Sequence, residues 1–295
     1  MNRLLMLGGD SFVGRSFVSM QSTFADCKIV SRKASLIGTD ESIVEDPFTI
    51  NESLFREEDI VFNCFGIAHQ KERDDPQHFY RVNRDLVFHL ASRAKRAGVK
   101  MFIQMSTTSV YGNIEWIDSS VQPHPSSHYG RSKAQADELL ESLASAEFSV
   151  LLIRPPMLYG PHAPGNMAKL LGMVKRLPIL PFLRATEPRD FLYIGNFVKY
   201  VEAAIRNELK GILLLRDSEA LSTRWLVEAM AQELGLRRLL VPLPFGSVFR
   251  KLFPEYYRKL YGPLRIVSNI GIDTSKIAGI VDNRIALKAT IKGFD

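Results

Sequence analysis

Short apolar runs alternate with longer segments of helical period over the first half of the chain. Residues 4–7 are uninterrupted leucine and methionine ending on glycine, the pattern of a strand buried on both faces. Residues 12–20 read as a helix, 28–30 as a second strand and 60–64 as another. Val82, Leu86, Leu90 and Ala94 fall on one helical face, and Gly98 stands where that helix would end. Residues 99–105 read as the next strand, 131–147 as a helix with Leu139, Leu140 and Leu143 turned inward, and 150–153 as a further strand. Such alternation predicts an α/β fold with a doubly wound parallel sheet covered on both faces.

The pattern changes after Arg154. Seven of the fifteen prolines fall between Pro155 and Pro188, which breaks the βα repeat into loops. Residues 189–194 read as a return to the sheet, 196–206 as a helix, 211–215 as a short strand and 223–234 as a helix. The last sixty residues look irregular.

Composition narrows the classes. The chain has 295 residues, 46% of them apolar and 24% charged, enough for a substantial core. Two cysteines, Cys27 and Cys64, give neither a disulfide scaffold nor a paired metal motif. The formal charge of +6 suits phosphate-bearing ligands, and with no basic tract it points to no nucleic acid. Residues 1–7 begin like a signal peptide, but Gly8 and Asp10 cut the apolar run short, and no stretch nears the roughly eighteen residues of a membrane span. The expected location is the cytoplasm.

Gly8-Gly9-Asp10-Ser11-Phe12-Val13-Gly14 follows the first strand and opens the first helix, as a dinucleotide loop requires. Gly8 suits the tight turn and Gly14 suits close packing of helix on strand. The loop, including Asp10, Ser11, Phe12 and Val13, offers free N–H groups and a positive dipole end to a pyrophosphate. Ser11 stands where the pattern has its middle glycine; its Cβ would crowd a phosphate, whereas its hydroxyl could donate to one. The second strand ends in Ser31-Arg32-Lys33. Two cations in place of an acidic residue favour a 2′-phosphate, hence NADP over NAD. Residues 1–154 are thus read as a nucleotide-binding domain and 155–295 as mainly a substrate-binding region, with 189–215 returning to the first.

Tyr129-Gly130-Arg131-Ser132-Lys133 opens a predicted helix, and spacing i to i+4 places Tyr129 and Lys133 on one face. Among nine tyrosines this one alone has a lysine four residues on. An adjacent ammonium favours phenolate over phenol, which would bring a group of ordinary pKa about 10 toward acid–base use. Upstream, the strand at 99–105 runs into Ser106-Thr107-Thr108-Ser109-Val110-Tyr111-Gly112, a hydroxyl cluster at a carboxyl strand end, where a ligand crevice opens.

The glycine loop, the hydroxyl cluster ending in Val-Tyr-Gly and the Tyr-Gly-x-Ser-Lys run together resemble the extended short-chain dehydrogenase/reductases. Arg154-Pro155-Pro156…Tyr159-Gly160-Pro161 is similar to a segment of nucleotide-sugar epimerases and reductases, as are Arg189-Asp190-Phe191 and Asp273-Thr274-Ser275-Lys276. The resemblance implies a Rossmann-type fold and an enzyme using NADP, or alternatively NAD, on a nucleoside-diphosphate sugar. It implies Tyr129 as acid/base, Lys133 as its tuning partner and ribose holder, Thr107 as the catalytic hydroxyl with Ser106 beside it, and Asn83 as the helix asparagine near the site. Asn63, Phe65, Gly66 and His69 match the loop lining the cofactor, with His69 also assigned to the substrate. Thr107, Thr108, Asn166 and Arg189 are the remaining substrate positions, the last two matching those that hold the diphosphate. Dimers are frequent in the family, and the sequence leaves the assembly open.

Three departures refine this. Thr108-Ser109 replaces the Asp-Glu pair of the 4,6-dehydratases, which disfavours dehydration. Gly195-Asn196 replaces residues that are usually acidic, and no Gly-Trp-x-Pro follows Lys276. His124 and His128 lie in a proline- and serine-rich stretch, so no metal site is expected. The expected chemistry is hydride transfer at hexose C4, with 4-keto reduction placed ahead of 4-epimerisation because Arg32 and Lys33 suggest an exchanging NADP. A non-catalytic NADP-binding regulator on the same fold is the alternative of a different class; such proteins generally lose the Tyr–Lys pair.

Overall fold

A computed structural model describes residues 3–34, 40–56, 58–68, 75–267 and 270–294, the side chains of 255, 256 and 259 excepted. The chain runs β1 (Leu4–Leu7), α1 (Phe12–Met20), β2 (Cys27–Ser31), β3 (Glu41–Ile43), β4 (Ile60–Asn63), α2 (Pro76–Tyr80), α3 (Leu86–Arg96), β5 (Met101–Met105), β6 (Trp116–Ile117), α4 (His128–Leu143) and β7 (Ser149–Ile153). It continues through β8 (Met157–Tyr159), α5 (Asn166–Arg176), β9 (Ile179–Leu180), β10 (Phe191–Tyr193), α6 (Ile194–Arg206), β11 (Gly211–Leu213) and α7 (Thr223–Glu233). It closes with β12 (Leu239–Leu240), α8 (Gly246–Leu252), α9 (Pro254–Tyr261), β13 (Arg265–Ile266) and α10 (Asn283–Lys292).

Seven strands form one parallel sheet in the order β11-β7-β5-β4-β1-β2-β3. The strand order reverses between β1 and β4. Leu7 lies opposite both Val30 and Asn63, so the carboxyl ends of β1, β2 and β4 are level, and the loops leaving β1 and β4 diverge to open a crevice. One face of the sheet packs Met6, Phe62 and Ile103 against Phe17 of α1 and Phe197 and Val201 of α6. Phe17 meets Phe62 edge to face, with ring centroids 5.1 Å apart. The other face packs Leu5, Val61 and Phe102 against Leu90 of α3 and Leu140 of α4. Each such fully buried side chain contributes about 1.5–3 kcal/mol. The continuous apolar runs seen in the sequence follow from this covering of both faces.

The C-terminal half differs from its sequence reading in two ways. The 189–194 segment does not rejoin the sheet: β10 pairs only with β8, in register Phe191 to Met157, and from 189–215 only Gly211–Leu213 adds a strand, while α6 packs on the sheet. The segment is apolar because it is buried between two cores. Leu192 faces the sheet core, and Phe191 faces a separate cluster with Met167, Leu170, Leu226 and Leu287. Nor are the last sixty residues irregular, for they hold α8, α9 and α10. Their short helices and mixed exposure give too little periodicity to read.

Buried polar contacts join the two parts. Tyr159 is fully buried, and its hydroxyl lies 3.1 Å from both Asp217 Oδ2 and Asn283 Oδ1. Asn196, at a position expected to be acidic, donates to Asp217 Oδ1 (2.8 Å) and to the Val281 carbonyl and accepts from the Val281 N–H. An amide can both donate and accept here, which a carboxylate cannot. Burial pushes the Asp217 carboxyl up to about 6. Tyr159→Phe should destabilise the fold by about 1–3 kcal/mol, read as a lower denaturation midpoint in urea with an unchanged slope.

Candidate active site

The crevice at the β1/β4 switch is floored by glycines that cannot be replaced without collision. Gly8 has φ +84°, and a Cβ on it would lie 2.9 Å from the backbone of Cys64 and Phe65. A Cβ on Gly14 would lie 2.2 Å from the Gly8 carbonyl oxygen, so α1 rests directly on the turn. Gly9, to which the sequence pattern gives no role, is constrained by a side chain rather than backbone: a Cβ there would meet Ile29 Cγ2 at 2.2 Å. Ser11 caps α1, its Oγ accepting from Gly14 N (3.0 Å). Its hydroxyl is an acceptor within the loop and keeps its own proton to give. Phe12 and Val13 pack their side chains into the core, leaving only their backbone toward the turn, and Asp10 is half-buried beside them. Ser31 is fully buried under Gly9 with no hydrogen-bond partner for Oγ among the described residues, and Arg32 and Lys33 follow it, exposed. Three glycines over a helix N-terminus, with two cations at the end of β2, form a cradle that fits a dinucleotide. Its pyrophosphate would sit on the 8–14 turn and its adenosine ribose near Arg32 and Lys33.

Across the crevice the loop after β4 turns on Asn63. This side chain is buried, donates to Gln104 Oε1 (2.8 Å) and accepts from Phe65 N (3.1 Å). Asn63 and Phe65 therefore shape the loop from inside, and Gly66 is the exposed member. A Cβ on Gly66 would stand 3.1 Å from both Lys133 Nζ and Asn83 Oδ1, so the missing side chain lets the loop lie against the lysine. Asn83 accepts from Ile67 N (2.9 Å) and donates to the Ile67 carbonyl and to Ser132 Oγ. It sits in a π-helical turn, Arg81–Asp85, between α2 and α3. Such turns concentrate at functional sites. His69 lies outside the described residues.

Tyr129 and Lys133 come from the first turns of α4, which Ser127 caps by accepting from Gly130 N (3.0 Å). Gly130 is buried, and a Cβ on it would lie 2.5 Å from the Ser109 carbonyl oxygen. This contact brings α4 onto the hydroxyl loop, where the Tyr129 phenol hydrogen-bonds the Thr107 side chain. Nothing in the spacing of residues reveals that role for Gly130. Thr107 is half-buried, and its Oγ1 also contacts Ser109 Oγ and accepts from Ser109 N. Thr108 is buried behind it, with its N–H on the Pro155 carbonyl. Lys133 Nζ donates to the Met105 carbonyl at the end of β5 (2.9 Å) and is buried.

The electrostatics correct the expected acidification. Burial pushes the Tyr129 phenol up to about 12, against the opposing pull of the Thr107 hydrogen bond. Burial also pulls Lys133 down to about 8, against Asp137 and Cys64. Both shifts have one cause: the pair is drier than helical spacing alone implies, and desolvation disfavours each charged form.

Ser106 is placed differently from its expected position beside the reacting oxygen. It is buried and donates to Asp137 Oδ2 (2.8 Å). Asp137 in turn takes Arg154 Nε (2.9 Å), and Arg154 donates to Tyr111 OH (2.9 Å) and lies over its ring. Arg154, Asp137 and Tyr111 thus back the site. Arg189 donates through Nη1 to the carbonyls of Arg258 and Gly262, so this nitrogen holds the C-terminal end of α9 rather than facing a diphosphate. Asn166 is exposed at the start of α5. His128 pairs with Tyr80 OH (3.1 Å), and no group of metal-binding side chains occurs among the described residues.

The sequence profile of the NAD dependent epimerase/dehydratase family matches residues 4–213. A UDP-glucose 4-epimerase of Vibrio cholerae is 27% identical over 285 residues, 89% of this chain and 86% of that protein. An N-acetyl-alpha-D-glucosaminyl-diphospho-ditrans,octacis-undecaprenol 4-epimerase of Escherichia coli O157:H7 is 24% identical over 282 residues, 92% of this chain and 84% of its own. The structure of a UDP-glucuronic acid 4-epimerase from Bacillus cereus in complex with NAD superposes with a TM-score of 0.78 at 18% identity, covering 99% and 98% of the two chains, which shows the shared fold.

Two outcomes test this geometry. Lys133 titrates lower in the fold than in the unfolded chain, so between about pH 8 and 10.5 the unfolded state holds more protons and folding gains stability as pH rises. Denaturation curves should show the wild type gaining on Lys133→Met across that window. Gly130→Ala should push α4 off the Ser109 carbonyl and cut turnover at least about tenfold through loss of the Tyr129–Thr107 contact, with little change in cofactor affinity by fluorescence titration.

Proposed function

The chain belongs to the NAD dependent epimerase/dehydratase family, enzymes of the extended short-chain dehydrogenase/reductase type, and on that premise we propose that it inverts C4 of a hexose carried on a nucleoside diphosphate. The observation that carries the proposal is the Tyr129–Thr107 hydrogen bond at the crevice, with Lys133, one helical turn on, buried against Gly66. Two relatives that match nearly the whole chain are 4-epimerases, and this moves epimerisation ahead of 4-keto reduction.

In this reading Tyr129, as phenolate, takes the proton of the C4 hydroxyl while Thr107 hydrogen-bonds the same oxygen and fixes its position. A bound nicotinamide would supply the hydride acceptor, in its reduced form the donor that returns the hydride to C4, and in its oxidised form a positive charge. That charge and the Lys133 ammonium act in the direction that lowers the Tyr129 phenol, which burial alone raises. Once the 4-keto sugar has turned its other face, Tyr129 returns the proton and the 4-hydroxyl is restored with inverted configuration. Lys133 holds the Met105 carbonyl and would hold the nicotinamide ribose. Asn83 keeps the Gly66 loop in place for that contact. Thr108, Asn166, Arg189 and His69 are proposed for the substrate side, Arg189 chiefly by fixing α9.

A second reading, 4-keto reduction with exchanging NADPH, draws on Arg32 and Lys33, which lie exposed where a 2′-phosphate would sit. The two separate on stoichiometry. With UDP-hexoses and no added reductant, epimerisation should give C4 isomer exchange by NMR with no net change in absorbance from reduced nicotinamide. Steady consumption of NADPH with a 4-keto sugar would establish reduction instead. Tyr129→Phe should lower turnover about 10²–10⁴-fold in either case while retaining cofactor; full activity in that variant would leave the regulator reading standing.

A further inference from the structure

Seven of the twelve exposed large hydrophobic side chains among the described residues lie in two stretches, 177–179 and 239–253. Parallel pairing of β9 with β12 sets Ile179 directly beside Leu239, and both are exposed, at 53% and 60%. Leu177 precedes them, and Arg238 ties the two strands to the end of α5 through the carbonyls of Val174 and Lys175. The chain then passes through Pro242–Phe245 into α8, none of whose residues is buried. Phe245 is 83% exposed, Leu252 65% and Val248 52%. α8 lies against α9, and these side chains are left in water.

The charged residues within these two stretches and their immediate flanks are cations, with Glu255 next in sequence. Residues 175–184 carry three cations and no carboxylate, and residues 237–254 carry four cations and no carboxylate. Arg250 and Lys251 stand on α8 itself, between Val248 and Leu252. Self-association by twofold symmetry would press this patch against its own image and set like charges opposite one another. An anionic lipid surface answers both features, taking the apolar side chains into the headgroup boundary and pairing the cations with phosphates. α9, next to α8, touches the crevice rim: Arg258 hydrogen-bonds Asn113, which follows the hydroxyl loop at Gly112.

We propose that α8 and the β9–β12 edge form a docking face for an anionic phospholipid bilayer, on which the protein lies without spanning it. No helix among the described residues is long and apolar enough to cross a membrane, in keeping with a surface contact. The proposal stands apart from the C4 chemistry and is tested on the full chain. Wild-type protein should co-sediment with phosphatidylcholine vesicles containing phosphatidylglycerol, much less with phosphatidylcholine alone, and should be released by salt. Two double variants, Phe245→Ser with Leu252→Ser and Arg250→Glu with Lys251→Glu, should each reduce binding to anionic vesicles at least about tenfold while keeping turnover on a soluble UDP-hexose. Wild-type protein that stays in the supernatant with anionic vesicles overturns the proposal whatever the variants do. So does undiminished binding by both variants, or a wild-type dimer that both variants dissociate without any change in vesicle binding. Absent turnover on UDP-hexose with intact vesicle binding would instead count against the C4 reading and leave the docking face in place.

Discussion

The Lys133 ammonium, buried and held by the Met105 carbonyl, is the contact from which the site is built. It anchors α4 to the end of β5, and so fixes where Tyr129 sits relative to Thr107. It also sets how near the Gly66 loop can come, since a Cβ at that position would stand 3.1 Å from both the ammonium and Asn83 Oδ1, tighter than ordinary contact. A buried cation costs several kcal/mol unless it is paired. The lowering of Lys133 to about 8 is the trace of that cost.

The compensation comes from one turn further along α4. Asp137 lies four residues after Lys133 and opposes the loss of its charge. Asp137 is itself buried, with burial pushing its carboxyl up and Arg154, Ser106 and Lys133 pulling it back. Arg154 enters from the end of β7 and is completed by Tyr111 from the hydroxyl loop. A network drawn from α4, β7 and the loop after β5 thus balances a charge that faces the crevice. Removing Asp137 or Arg154 would leave the other a buried charge without its partner, the expensive case for such networks.

Much of this is legible in the sequence where local rules suffice. The β1 turn, Gly8 and Gly14, and the helical spacing of Tyr129 and Lys133 are short-range patterns, and the structure has them at those places. The 189–194 strand is misplaced by its sequence because an apolar run says that a segment is buried without saying in which of two cores. Ser106 reads as a neighbour of the reacting oxygen because adjacency in sequence does not tell which of two successive hydroxyls faces inward after a strand end. Gly130 stands in the Tyr-Gly-x-Ser-Lys run and Gly9 in the first loop, but the need for glycine at either is not local: it comes from backbone 21 residues upstream in one case and from β2 in the other. The pKa reversal at Tyr129 is out of reach for the same reason: i to i+4 spacing brings an ammonium near but says nothing of how dry the pair becomes.

The π-helical turn at Arg81–Asp85 holds one residue more than a regular α-helix would need over the same rise. Deleting one residue there would restore unbroken i to i−4 bonding from α2 into α3, an improvement in local helix terms. It would also rotate α2 by about 100° relative to α3, carrying Asn83 or its neighbours out of register with Ile67 and Ser132. The extra residue is therefore an insertion that local energetics favours losing and the crevice wall requires keeping.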